Sequence, residues 1–257
     1  MSANKVASRR GKTFTYRTVA FFVKPLLWLM SARKWEGVEN FPEKGGLIVA
    51  SNHASNIDPL TMAHFVYNNA GAPKILAKAS LWKIPLVGML LRKTGQIPVE
   101  RGTANAAASL KAAKIQLDAG NVVAVFPEGT LTKDPELWPM VAKTGVARMA
   151  LISQKPVIPV AQWKVHEVLP QKAKFPTLIP RKKVQILAGP PVDLRDLYDQ
   201  PLNSVTLQEA TRRIMKEITN LLGELRGQTP PEEPYHPVKA KIQEKPQTIT
   251  TESEEQA

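Results

Sequence analysis

Short runs of apolar, mostly β-branched residues recur along this chain with stretches of helical pattern between them. That alternation constrains the fold more than any other feature. The clearest run is NVVAVF at 121–126, continuous rather than alternating and therefore suited to a strand buried on both faces. Others lie at 47–50, 74–78, 95–100 (GQIPVE), 155–163 (KPVIPVAQW) and 182–188 (KKVQILA). Between them, the Ala-rich residues 105–119, closed by Gly120, and residues 140–153 have helical character. Residues 206–225 place Ile214, Ile218, Leu221, Leu222 and Leu225 on one face of a long amphipathic helix. Asp58-Pro59 predicts a helix start, with Asp at the N-cap, Pro at the first helical position, and Met62, Phe65 and Val66 on the buried stripe. The pattern predicts an α/β domain with a largely parallel central sheet flanked by helices. Its active site would lie in loops beyond the strand ends. The three least ordinary loops, at His53, Arg101 and Glu128, each follow an apolar strand.

No window reaches the roughly 18–20 apolar residues that span a bilayer. The best, 18–30, is broken by Lys24 and Pro25 and is followed by no small-residue cleavage site, so it does not read as a signal peptide. It carries Phe21, Phe22, Leu26, Leu27, Trp28 and Leu29 between Arg17 and the pair Arg33-Lys34. Residues 1–34 hold eight Lys/Arg and no Asp/Glu. They read as a basic N-terminus with an amphipathic helix lying in the headgroup layer of an anionic membrane. The alternative is a helix that caps the core with its apolar face. Residues 35–227 form the α/β domain, and 228–257, with six acidic and three basic residues among Pro, Gln and Thr, read as a disordered tail.

The net charge of +13 points to an anionic partner: a phospholipid surface, a phosphorylated substrate or nucleic acid. No zinc-finger, RNP or glycine-loop signature is present and the aromatics do not interleave with the basic clusters, so nucleic acid is not the expected partner. The absence of cysteine excludes disulfides, a thiol nucleophile and thiolate metal sites. Four histidines (His53, His64, His166, His236) make a multi-histidine site a poor fit, and neither metal nor cofactor is expected.

The leading chemical candidate is NHASNID, in which His53 precedes Asp58 by five residues. An imidazole with a carboxylate beside it serves as a general base, the carboxylate holding the tautomer and stabilising the imidazolium. Positions five apart on a helix lie about 140° around the axis, so the pair meets only if the chain turns between them. Otherwise Asp58 is a plain helix cap. FPEGT places Glu128, Gly129 and Thr130 after the buried strand, where a carboxylate can bind a polyol and Gly-turn N–H groups can face an oxyanion, or where a structural turn suffices. Arg101 suits a bidentate phosphate clamp or an ion pair with Glu100, and Lys78 and Lys143 are weaker phosphate candidates. His64 reads as a buried structural residue and His166 as a surface one.

Taken in order, NHASNID, GQIPVER, FPEGT and KPVIPV resemble the four sequence blocks of the glycerolipid acyltransferases, most closely the 1-acylglycerol-3-phosphate (lysophosphatidate) acyltransferases. The resemblance covers residues 35–225. It implies that His53 is the general base, Asp58 its orienting partner, and Arg101 the phosphate contact. It also implies that Glu128, Gly129 and Thr130 position the glycerol, with Lys78 as a further phosphate or oxyanion candidate. The implied reaction moves a fatty acyl group from acyl-CoA or acyl carrier protein, as co-substrate, to a lysophosphatidate-like acceptor. It would run at the cytoplasmic face of the cell membrane on a peripheral or monotopic enzyme. The absence of a Gly-x-Ser-x-Gly elbow fits direct transfer without an acyl-enzyme. One departure stands out: the family often continues FPEGT with Arg-Ser, whereas Leu131-Thr132 follows here, leaving Lys133 or Arg101 to supply the missing cation. A non-catalytic lipid-binding protein on the same fold is the remaining rival.

Overall fold

The computed structural model describes residues 10–100 and 105–237. Seven strands form one sheet: β1 (Ser31–Glu36), β2 (Leu47–Ser51), β3 (Pro73–Lys78), β4 (Ile97–Val99), β5 (Val122–Val125), β6 (Val157–Trp163) and β7 (Lys182–Ala188). Their order is β1-β7-β6-β2-β5-β3-β4, and every neighbouring pair is parallel except β6–β7. The helices are α1 (Phe14–Met30), α2 (Asp58–Asn69), α3 (Pro85–Thr94), α4 (Asn105–Asp118), α5 (Gly145–Ser153), the single turn α6 (Val165–Val168) and α7 (Ser204–Arg226). The α/β architecture expected from the alternation is therefore present. The central strands β2 and β5 are buried at every position, as their unbroken apolar sequences require.

Each face of the sheet has its own core. Ile48, Val123, Val125 and Val157 point toward α4, α5 and α7, which contribute Leu117, Ala147, Ile214 and Ile218. Leu47, Val49, Ala124 and Val160 face the other way, toward Met62, Phe65 and Val66 of α2 and Met30 of α1. The alternation of side chains along a strand divides each apolar run between the two layers.

Several details differ from the sequence reading. β1 carries the charged SARKWE segment and was not apparent from apolarity, because this edge strand buries only Ser31 fully. Helix α1 continues through Pro25, and α5 begins at Gly145 rather than at 140. The residue before α2 is Ile57, so Asp58 is the first helical residue and not its cap. The chain after Gly227 does not lose its contacts at once. Gln228 N donates to Gly223 O, and Tyr235 forms a parallel bridge to Met140, its carbonyl accepting from Val141 N at 3.0 Å. The segment 228–237 of the expected tail is thus held against the loop after β5. The rest of that tail, the first nine residues and Arg101 lie outside the described residues.

Candidate active site

Parallel register brings the two central motifs together. Ala50 of β2 lies beside Val125 of β5, so three residues on, past both strand ends, His53 is level with Glu128. The contact forms as that spacing requires: His53 N donates to Glu128 Oε1 at 3.1 Å. Thr132 N closes the same junction by donating to His53 O at 2.7 Å.

The chain turns sharply between His53 and Asp58, which brings His53 Nδ1 to 3.0 Å from Asp58 Oδ2. The same oxygen accepts from Ala54 N at 2.6 Å and Ser55 N at 2.7 Å. Asp58 thus organises the loop before its own helix. Its side chain is 2% exposed against 16% for the His53 ring. Three donors on one oxygen require a pure acceptor there. The His53 Nδ1 position therefore carries the proton and Nε2 is left with a lone pair. The ring stacks on Phe126 at a centroid distance of 4.2 Å, which holds its plane.

Under this loop lies a buried polar frame. Asn52 extends β2 by two side-chain bonds to β6, donating to Gln162 O at 3.0 Å and accepting from Gln162 N at 2.8 Å. The Gln162 side chain accepts from Thr61 Oγ1 at 2.6 Å and donates to Ser51 Oγ at 3.2 Å. Gln162 and Thr61 were not singled out in the sequence. The available signal was a lone Gln in the apolar run VIPVAQW.

Glu128 is 2% exposed, and its second oxygen accepts from Met140 N at 3.0 Å. Burial pushes its carboxyl up to about 8, against the opposing pull of the two backbone N–H groups. It does not belong to the cavity wall. Its two oxygens tie the His53 loop to the 132–140 loop. Gly129 adopts φ 70°, which only glycine takes readily, and its N–H closes the turn onto Phe126 O at 2.9 Å. Thr132, the second residue of the Leu131-Thr132 departure, donates to Trp138 O at 2.6 Å and is buried.

A cavity of about 740 Å³ opens beside His53, within the roughly 300–1,000 Å³ usual for small-molecule sites. His53, Phe126, Gly129, Thr130 and Lys78 line it together with an apolar wall from α1, α2 and α3, including Val19, Val23, Leu60, Ala63 and Leu90. The structure therefore assembles His53, Gly129, Thr130 and Lys78 around one space, with Asp58 and Glu128 behind it. Lys78 is exposed at the end of β3, whereas Lys143 and Lys133 are exposed but do not line the cavity.

The other histidines behave differently. His64 is buried, and burial with Arg33 and Lys24 nearby lowers it to about 4, so its neutral Nε2 accepts from Arg33 Nη1 at 3.1 Å. His166, expected at the surface, is half-buried against Trp163 with centroids 4.7 Å apart. Among the described residues no group of three or more His, Asp or Glu is placed to hold a metal.

The acyltransferase family model matches residues 32–163, just over half of the chain. A 1-acyl-sn-glycerol-3-phosphate acyltransferase of Borreliella burgdorferi is 32% identical over 187 residues, covering 72% of this chain and 71% of that protein. One from Bacillus subtilis is 26% identical over 212 residues, covering 82% of this chain and 100% of that protein. The crystal structure of the 1-acyl-sn-glycerophosphate acyltransferase PlsC from Thermotoga maritima superposes with a TM-score of 0.64 at 24% identity. It covers 84% of this chain and 81% of that one, and supports the fold. The matched segment runs from β1 to the end of β6 and contains His53, Asp58 and Glu128. The chain belongs to the acyltransferase family and is similar, among its members, to the 1-acyl-sn-glycerol-3-phosphate acyltransferases.

Proposed function

We propose that this enzyme transfers a fatty acyl group from acyl-CoA or acyl carrier protein to the free hydroxyl of 1-acyl-sn-glycerol 3-phosphate. The product is phosphatidic acid, made for phospholipid biosynthesis. The observation that carries the reading is the His53–Asp58 pair, with His53 on the wall of a largely apolar cavity. The names of the similar proteins support the choice of acceptor.

In this mechanism His53 Nε2 removes the proton from the acceptor hydroxyl as the oxygen attacks the thioester carbonyl. Asp58 stabilises the imidazolium that forms. The tetrahedral intermediate collapses with cleavage of the C–S bond, and the imidazolium returns the proton to the departing thiolate. No acyl-enzyme is needed, because a thioester is already activated and orientation supplies much of the remaining acceleration. Thr130 N and Leu131 N, which have no acceptor among the described residues, are candidate donors to the oxyanion. The apolar wall holds an acyl chain, and Lys78 attracts the phosphate, a task we also assign to Arg101. Glu128 acts as a brace that keeps His53 in register with the Gly129 turn.

We further propose that the protein works as a peripheral or monotopic enzyme on the cytoplasmic face of the membrane, with no nucleic-acid partner. The acid-free stretch 1–34 and the exposure of Phe21, Phe22, Trp28 and Leu29 on α1 support this. Among the described residues no helix is long and apolar enough to cross a membrane. Replacing His53 by Ala tests the chemistry directly. The variant is expected to fold, since Glu128 and Thr132 hold the backbone of residue 53 and not its ring, and to lose acyl transfer from labelled oleoyl-CoA to lysophosphatidate. Retention of near-normal transfer rules out the mechanism.

A further inference from the structure

The connection from α6 to β7, residues 169–181, is unusual in composition and in where its ends are tied. At one end it is bound to the catalytic loops. Ser55 Oγ donates to Leu169 O at 2.6 Å, Asn56 Nδ2 to Gln171 O at 3.2 Å, and Gln171 Nε2 to Thr132 O at 3.0 Å. At the other end Arg181 caps α1: its guanidinium donates to the carbonyls of Trp28 and Ser31 and stacks on the Trp28 ring at 4.7 Å. Between these ties the loop exposes Phe175 (82%) and Ile179 (88%), with Leu178 also exposed. Large apolar side chains that far into solvent lose hydrophobic stabilisation unless something covers them.

The helix beside it has the same character. Phe14, Phe21 and Trp28 recur every seven residues, as do Phe22 and Leu29, and all five are exposed. They make one outward stripe, while Tyr16, Val23 and Leu27 turn inward to the core and the cavity. The charge of both elements is of one sign. Lys172, Lys174, Arg181, Lys182 and Lys183 flank Phe175 and Ile179 along the chain, and neither 10–34 nor 170–183 contains an Asp or Glu.

We propose that the 172–181 loop is a second lipid-docking arm, which inserts Phe175 and Ile179 into the headgroup layer of an anionic phospholipid bilayer alongside the outer stripe of α1. Arg181 locks the two arms into one surface. Apolar side chains flanked by cations that form no ion pair among the described residues match an interface that is apolar beneath and anionic above. A second copy of this chain would bring the same cations face to face. The arrangement also sets the surface next to the catalytic loops, since the same loop is hydrogen-bonded to Ser55 and Asn56 at its start. This inference rests on the peripheral-membrane reading above and adds a site to it.

The test compares sedimentation of the full chain with phosphatidylcholine vesicles with and without phosphatidylglycerol. Wild type, the Phe175→Ser/Ile179→Ser double variant and a Phe21→Ser/Phe22→Ser double variant are run in parallel. Each double variant is expected to lower the partition coefficient on phosphatidylglycerol vesicles by about tenfold or more, from the loss of two apolar anchors. Thermal melting and acyl transfer to a short-chain, water-soluble lysophosphatidate should stay at wild-type levels, because all four side chains are solvent-exposed. Loss of binding by the α1 variant alone overturns the loop arm and leaves the peripheral reading standing. Wild-type binding by both variants overturns both. A wild-type dimer that the loop variant converts to monomer, with vesicle binding intact, assigns the face to self-association and also refutes the proposal.

Discussion

Asp58 is the position where support of the loop and support of the chemistry can be separated. Its Oδ2 accepts from His53 Nδ1, Ala54 N and Ser55 N at 3.0, 2.6 and 2.7 Å, whereas Oδ1 has no hydrogen bond among the described residues. An Asn whose carbonyl oxygen takes the Oδ2 position keeps all three bonds, and its NH₂ replaces the oxygen that has no donor to lose. Asp58→Asn therefore removes charge and little else. Neutral bonds have about half the strength of charge-assisted ones, which sets a stability cost of about 1–3 kcal/mol. The catalytic cost is larger. A carboxylate about 4 Å from an imidazolium contributes about 4 kcal/mol at an effective dielectric constant of about 20, so turnover should fall by about 10²–10³. Asp58→Ala instead strands two buried N–H groups and the imidazole, at about 1–3 kcal/mol each, a loss approaching the whole stability of an ordinary domain. Urea melts followed by circular dichroism and free-thiol release from oleoyl-CoA with lysophosphatidate report the two quantities separately. A folded Asp58→Asn enzyme within about tenfold of wild-type turnover refutes the electrostatic role. An Asn variant as unstable as the Ala variant shows that loop support dominates.

Glu128 supplies a pH signature. Its folded carboxyl is raised to about 8 by burial, so the fold favours the protonated form; the stability this confers is complete below about 4.5 and is lost as pH rises through about 8. Relative to Glu128→Gln, the wild type should therefore lose stability between pH 5 and pH 8 in urea melts, and a difference that does not vary with pH refutes this. Asn52→Ala leaves the backbone N–H and C=O of Gln162 unpaired in the core and should destabilise by about 2–4 kcal/mol, measured by the same melts. Ala20→Phe projects a ring into the apolar wall of the cavity and should shift donor preference toward shorter acyl chains, read as the ratio of kcat/KM for lauroyl-CoA and oleoyl-CoA. An unchanged ratio places the acyl chain elsewhere.

Much of the fold was legible because burial and periodicity leave direct marks on the sequence. The strands at β2, β5 and β6 are continuous apolar runs because they are covered on both faces, and α7 shows its buried stripe at helical spacing. β1 was illegible because an edge strand of charged residues buries almost nothing. The helix at α5 was overextended toward residue 140 because Met140 is apolar for another reason: it is buried in an extended segment whose backbone pairs with Tyr235.

The site divides in the same way. The residue types and order of His53, Asp58 and Glu128, with their places just beyond strands, were readable from the chain alone, because a loop of reactive polar residues after an apolar strand is visible in one dimension. Which of these atoms touch was decided by the sheet. Parallel pairing of β2 with β5 levels His53 with Glu128, and the Glu128 side chain meets two backbone N–H groups that the sequence does not reveal. Gln162 entered the frame only because β6 flanks β2, and the cavity exists only because α1, α2 and α3 converge beside the strand ends. A sequence records which groups a chain carries and how far apart they lie along it. Strand register and helix packing, which are properties of distant segments meeting, determine the distances at which those groups act.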